Sequence, residues 1–216
     1  MVNEHHISTA GRFPGAFIRS ESLHVSSGEN VDYWSVDRAV YHISLHLSDS
    51  IPAAERASWH EIRAELSAVK KTRALTPDEL ALLKSAYSEK IEHYLQAGCG
   101  ECWLRDQGVA SAVLETLEHD HGRTYELHLV CIMPNHIHLI AAFEQGVQMR
   151  AALTAWKRIT SHKINGLLGR TGAVWMDDAY TRIIRTVDEY ERQMSYVRVN
   201  PEVAGLSSGF LMKSYG

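Results

Sequence analysis

The sequence predicts an α+β domain, on three observations. Residues 40–47 and 125–132 alternate side chains in the manner of strands, and residues 137–143 form an apolar run without Gly or Pro. Longer stretches between them repeat apolar residues every three to four positions, as amphipathic helices do. Turn-forming residues stand at the junctions. With 216 residues, 45% of them hydrophobic and 22% charged, the chain has the size and composition to bury one globular core.

Residues 1–33 are polar and rich in Gly, Ser and His, and read as a flexible N-terminal extension. One domain over 34–206 follows, and 207–216 is a tail. In 40–47, Tyr41, Ile43, Leu45 and Leu47 point one way and His42, Ser44 and His46 the other. Residues 51–98 read as an inserted helical hairpin. Trp59, Ile62, Leu66 and Val69 line its first arm. Thr76-Pro77-Asp78-Glu79 starts the second with an N-cap, a first-turn proline and a capping-box acid. Leu80, Leu83, Tyr87, Ile91 and Tyr94 follow on one face, and Gly98 stops it.

Asp106 is placed to cap a helix carrying Val109, Val113 and Leu117. The strand at 125–132 alternates Tyr125, Leu127, Leu129 and Cys131 against Glu126, His128, Val130 and Ile132. Pro134-Asn135 makes the turn into the next strand, which Gly146 closes. Leu153, Trp156, Thr160, Ile164 and Leu167 mark a helix, and residues 180–185 a further strand. The last helix, 187–200, has Val187, Tyr190, Met194 and Val197 as its stripe and ends at Pro201. At about 100° per residue, Tyr196 falls roughly opposite the middle of that stripe, beside Arg192 and Asn200.

No apolar run reaches membrane-spanning length, and the N-terminus lacks a basic start followed by an apolar stretch. Three cysteines fit a reducing compartment better than a disulfide framework. Cys99 and Cys102 form a C-x-x-C without the two further ligands of a structural zinc site, so packing is the expected role of all three thiols. Net charge is −4, but residues 147–200 carry nine Lys/Arg against five acids, leaving −8 on the remainder. A locally basic surface on an acidic protein suits phosphate binding, although ordinary solvated helix faces give the same count.

The chemistry centres on Met133-Pro134-Asn135-His136-Ile137-His138-Leu139-Ile140. Strand periodicity puts His136 and His138 on one face, a natural pair of ligands for a divalent metal. Tyr196 and Asn200, four apart, share one helix face. A phenol is a poor nucleophile at neutral pH unless its target is activated. An ion held by His136, His138 and the Asn200 amide oxygen would polarise a phosphodiester for attack by Tyr196, and this donor set suits Mg²⁺ or Mn²⁺.

The histidine block resembles the HUH motif (histidine, apolar residue, histidine) of single-strand DNA transposases that use one tyrosine. The run Tyr196-Val197-Arg198-Val199-Asn200-Pro201-Glu202-Val203-Ala204-Gly205-Leu206 is similar to their C-terminal block. Gly100-Glu101-Cys102-Trp103-Leu104 and the stretch from Trp175 to Arg185 resemble further segments. The nearest subgroup is the REP-associated tyrosine transposases, and the likeness spans about residues 41–206.

That resemblance implies a ferredoxin-like or RRM-like antiparallel sheet with helices packed on one face, the hairpin being an elaboration. It implies His136 and His138 as metal ligands, Asn200 in the position of the third, where relatives often carry glutamine, and Tyr196 as the nucleophile that forms a 5′-phosphotyrosine link. The expected activity is metal-dependent cleavage and strand transfer of single-stranded DNA at hairpins, by a bacterial, cytoplasmic, nucleoid-associated protein acting as monomer or homodimer. Lys157, Arg158, Lys163, Arg182 and Arg185 are then expected to track the DNA, with Trp156 or Trp175 either stacking on bases or packing in the core. A histidine-triad hydrolase is excluded, because its third histidine would stand at Ile140. A domesticated hairpin-binding protein that no longer cuts is the alternative function, and an α+β protein with coincidental motifs the bland one.

Overall fold

The computed structural model describes residues 39–57, 76 and 89–216, together with the backbone of 23–27 and 32–36. Most of the expected hairpin, including Trp59 and Leu83, lies outside the described residues; 53–57 and 89–96 are helical. The strand β1 (Leu23–Ser27) lies in the segment expected to be a flexible extension and pairs antiparallel with β2 (Asp32–Val36), which straddles the expected boundary at residue 33. Val25, Tyr33, Trp34 and Val36 are strand formers that the polar composition around them masks.

The main sheet has five antiparallel strands in the order β6-β3-β5-β4-β7. They are β3 (Val40–His46), β4 (Tyr125–Ile132), β5 (His136–Phe143), β6 (Tyr180–Ile184) and β7 (Leu211–Ser214). The histidine strand β5 is central, flanked by β3 and β4. β7 lies in what the sequence suggested was a tail; four residues are too short a run to show alternation, yet they pair with β4.

One face of the sheet is apolar. Tyr41, Ile43, Leu45, Val130, Ile132, Ile137 and Leu139 pack there against α1 (Gln107–Glu118) and α2 (Met149–Leu167). Each large aliphatic side chain buried here contributes roughly 1.5–3 kcal/mol. Asp106 caps α1 as expected, accepting from the Val109 N–H at 2.9 Å. Trp156 and Trp175 are both buried in this core, their indole N–H groups donating to Tyr125 and Thr160. Leu167, assigned to the α2 stripe, is 58% exposed at the helix end.

The strand at 125–132 does not alternate throughout. His128 is a bulge: Leu127 pairs with Ala141 and Leu129 with Ile140, so Tyr125 and Leu127 share the apolar face with Val130 and Ile132. Leu129 and Cys131 are thereby turned to the opposite face.

That opposite face carries the histidines and is covered by α3 (Val187–Val203). Helices α1 and α2 thus share the apolar face, and α3 lies across the sheet from them. Thr186 caps α3 through the Glu189 N–H at 3.1 Å. Glu189 also accepts from the Arg185 N–H and from the Arg182 guanidinium, tying the start of α3 to β6. α3 does not stop at Pro201 but continues to Val203. Proline there removes one hydrogen bond close to the helix end, where the loss is small. The stop is a Schellman motif at Gly205, φ 67°, with Leu206 N–H to Pro201 O at 2.8 Å and Gly205 N–H to Glu202 O at 2.9 Å. Among the described residues no helix is long and apolar enough to cross a membrane.

Candidate active site

The site is built on three strands in register. Ser44 and Cys131 flank His138 across the sheet, and His46 flanks His136. The turn between β4 and β5 is braced by residues 99–104: Leu104 N–H donates to Pro134 O, and Asn135 Nδ2 to Cys99 O. Gly100 permits this brace, since its φ is 91° and a Cβ would lie 2.8 Å from the Asp49 carbonyl oxygen.

His136 and His138 are 0% and 2% exposed, with their Nε2 atoms 3.1 Å apart. Asn135 Oδ1 lies 2.8 Å from His136 Nδ1. Because the amide nitrogen of Asn135 is committed to Cys99, its oxygen accepts from His136 Nδ1–H, which leaves Nε2 with a bare lone pair. His138 Nδ1 lies 2.7 Å from Ser44 Oγ and 3.1 Å from His42 Nε2. Ser44 can give or take a proton, so His138 can present either N–H or lone pair to His136.

Burial holds these rings neutral. It pushes His136 down to about 3, with His46 adding to the effect. It pushes His42 and His46 to about 4, and His138 well below the ordinary histidine value.

α3 brings Tyr196 and Asn200 to the same place. The Tyr196 ring centroid is 5.5 Å from His138 and 5.6 Å from His42. Tyr196 therefore faces the sheet rather than away from it. The face it meets is polar, so the buried side of α3 includes Glu189 and Asn200 beside Met194 and Val197, while Val187 is 56% exposed. Burial, then the neighbouring Glu92 carboxylate, raise the Tyr196 phenol well above its ordinary value.

Asn200 is 2% exposed and close enough to His136 to interact with its ring. Its Nδ2 donates to Glu92 Oε1 at 3.3 Å, and its Oδ1 has no hydrogen-bond partner. A buried amide oxygen without a partner, beside two imidazoles, is a donor set that fits a positive group. Two ligands at right angles around one ion at about 2.1 Å stand about 3 Å apart, and the histidine pair meets that spacing. Among the described residues no group of three or more His, Cys, Asp or Glu is arranged for a metal; the donors here are two imidazoles and one amide.

The five basic candidates do not gather as one group at this site, although Arg182 stands beside His42 in the register and Lys157 is near enough to lower His46. Lys157, Arg158 and Lys163 lie on α2, across the sheet. Lys157 Nζ donates to the carbonyls of Met176, Asp177 and Asp178 at 2.8–3.0 Å, and burial lowers it to about 8. Lys163 Nζ reaches Ala112 O at 3.4 Å. Arg182 is paired with Glu189 at 2.8 Å, on the histidine side. Arg158 and Arg185 are exposed.

Sequence reasoning missed Glu92, and it gave no role to Ser44 or Asn135. Ser44 was recoverable from its place between His42 and His46. Glu92 had no local signal, as it reaches the site from a helix 108 residues away from Asn200.

No family model and no curated protein matches this chain. Among solved structures it is similar to a REP-associated tyrosine transposase bound to a REP hairpin, with 14% identity and a TM-score of 0.45, over 83% of this chain and 75% of that one.

Proposed function

We propose that this chain is a divalent-metal-dependent single-stranded DNA endonuclease and strand transferase acting at hairpin DNA, as in DNA transposition, with Tyr196 as nucleophile. The observation that carries this is the convergence of Tyr196, the His136–His138 pair and the unpartnered Asn200 Oδ1 beneath one helix. The matched HUH and tyrosine blocks support it from the sequence.

His136, His138 and Asn200 would hold Mg²⁺ or Mn²⁺, which when bound withdraws charge from a phosphodiester oxygen. Tyr196 supplies the attacking oxygen. Its bond to phosphorus forms as the bond from phosphorus to the 3′ oxygen breaks, leaving a 5′-phosphotyrosine and a free 3′-hydroxyl. The phenol loses one proton and the departing oxygen gains one. The Tyr196 hydroxyl interacts with Glu92, so a proton acceptor stands at the atom that must lose its proton. In strand transfer a 3′-hydroxyl attacks the same phosphorus and releases the phenol. The α3 helix, capped at both ends, keeps Tyr196 and Asn200 in fixed relation. Arg185, exposed at the start of α3, is a cation for the DNA backbone.

The test is a cleavage assay on labelled single-stranded hairpins from the flanks of the encoding gene, with Mg²⁺ or Mn²⁺ and with chelator. A metal-dependent covalent protein–DNA band, lost in Tyr196→Phe and in His136→Ala, is the expected result. Retention of the band in Tyr196→Phe would assign the nucleophile elsewhere. Hairpin binding without cleavage across all flanking repeats would identify a non-cleaving hairpin-binding protein instead.

A further inference from the structure

We propose that Glu92 is a positioning residue that locks the Asn200 amide with Oδ1 turned toward the histidine pair; this rests on the cation site proposed above. An amide side chain can turn over, exchanging its oxygen and its NH₂ at little cost in shape. With NH₂ toward His136 it would donate to the bare Nε2 and fill the place of a cation. With Oδ1 inward it completes the donor set. Nothing in the amide itself chooses between the two.

The Tyr196 hydroxyl also meets this amide but can give or take a hydrogen bond, so Glu92 makes the choice. A carboxylate only accepts, so the side of Asn200 that faces it must be the NH₂. Asn200 Nδ2 donates to Glu92 Oε1 at 3.3 Å, and Gln96 Nε2, one turn along the same helical segment, donates to that oxygen at 3.0 Å. Glu92 is half-buried and Asn200 is 2% exposed, so bulk water does not substitute for these contacts. The helical segment 89–96, at the end of the insertion, thereby acquires a task at the site: it fixes a ligand carried on another element. Partners of this kind typically change metal affinity about 10- to 100-fold when removed.

The experiment is a Mn²⁺ titration of the metal-free full chain, read by the electron paramagnetic resonance signal of free Mn²⁺, with no DNA present. Glu92→Ala and Asn200→Ala should each weaken binding about 10-fold or more, and the double variant should be no weaker than Asn200→Ala beyond about 2-fold. Glu92→Gln retains an oxygen that accepts from Asn200 and should bind close to wild type. Should Glu92→Ala fail to fold, Glu92→Met, similar in volume but without an acceptor, takes its place. Wild-type affinity in Glu92→Ala or Glu92→Met alongside a weakened Asn200→Ala would overturn the proposal. So would losses that multiply in the double variant. Mn²⁺ binding indifferent to His136→Ala is a different result: it would remove the cation site itself, and this inference with it.

Discussion

His136 is held by its own neighbour: Asn135 Oδ1 accepts from the ring Nδ1 at 2.8 Å, while Asn135 Nδ2 donates to Cys99 O at 3.0 Å. The turn that starts the strand thus also sets the tautomer of its first histidine. Asn135→Ala leaves the buried His136 Nδ1–H unpaired, which costs about 1–3 kcal/mol, and removes the donor to the part-buried Cys99 O. It also frees Nε2 to carry the proton, so Mn²⁺ affinity should fall about 10-fold. Asn135→Asp keeps the acceptor at Nδ1 but loses the donor to Cys99. It should lose stability in urea yet retain the ¹⁵N shift pattern of an Nδ1-protonated ring. Equal loss of that pattern in both variants would show that Asn135 does not set the tautomer.

The buried imidazoles make the fold acid-sensitive. Unfolded, each titrates near 6.5; folded, burial holds His42 and His46 at about 4 and His136 at about 3. Above pH 6.5 neither state takes the proton and the stability is fully present. Below it the unfolded chain binds protons that the folded chain does not, so stability is lost as pH falls from 6.5 toward 4. Each unit of such a shift corresponds to about 1.4 kcal/mol per group. In chelator, urea unfolding at pH 5 should give a clearly lower midpoint than at pH 7.5, and His46→Gln should reduce the slope between them. Identical midpoints would contradict neutral burial of these rings.

The strands around the site were legible because alternation is a local signal: β3, β5 and the Asp106-capped α1 lie where 40–47, 137–143 and the cap predict them. The paired histidines followed from the same periodicity. What failed was whatever depended on partners distant in sequence. The His128 bulge reverses the parity of β4 midway, and no residue type announces it. The apolar stripe of α3 leaves Tyr196 opposite its middle, because the side this helix buries is defined by polar residues as well as apolar ones. The sheet face beneath α3 is lined by His42, Ser44 and His138, so polar residues were what it had to bury. Pro201 misled for a related reason: near a helix end its missing N–H costs one bond, which a Gly205 stop tolerates. Net charge marked the basic segment but did not reveal that Lys157 and Arg182 are spent on internal partners.

Cys131 stands beside His138 in the register, and burial pushes its thiol up to about 12. The thiolate is the reactive form, so at pH 8 this sulfur should be inert. Of the three free thiols, Cys99 is the partly exposed one. Titration with a disulfide reagent at pH 8 should modify Cys99 rapidly and Cys131 only on unfolding in urea. Rapid labelling of Cys131 in the native protein, mapped by mass spectrometry, would show that the histidine face opens to solvent.

Lys157 and Arg185 should separate stability from DNA affinity. The three carbonyl contacts of Lys157 tie α2 to the segment 176–178, which leads into β6. Hydrogen bonds to a charged group contribute about 1.5–3 kcal/mol. Lys157→Met should therefore lower the urea midpoint while leaving the salt dependence of hairpin binding near that of wild type. Arg185 is exposed at the start of α3, on the side of the sheet that carries Tyr196. Arg185→Ala should leave stability within about 0.5 kcal/mol and reduce the slope of log K against log salt by about 0.7, the value for one contact to a single strand. Fluorescence anisotropy with a labelled hairpin at several salt concentrations gives both slopes. An unchanged slope in Arg185→Ala, with a reduced one in Lys157→Met, would place the DNA on the α2 side of the sheet and away from Tyr196.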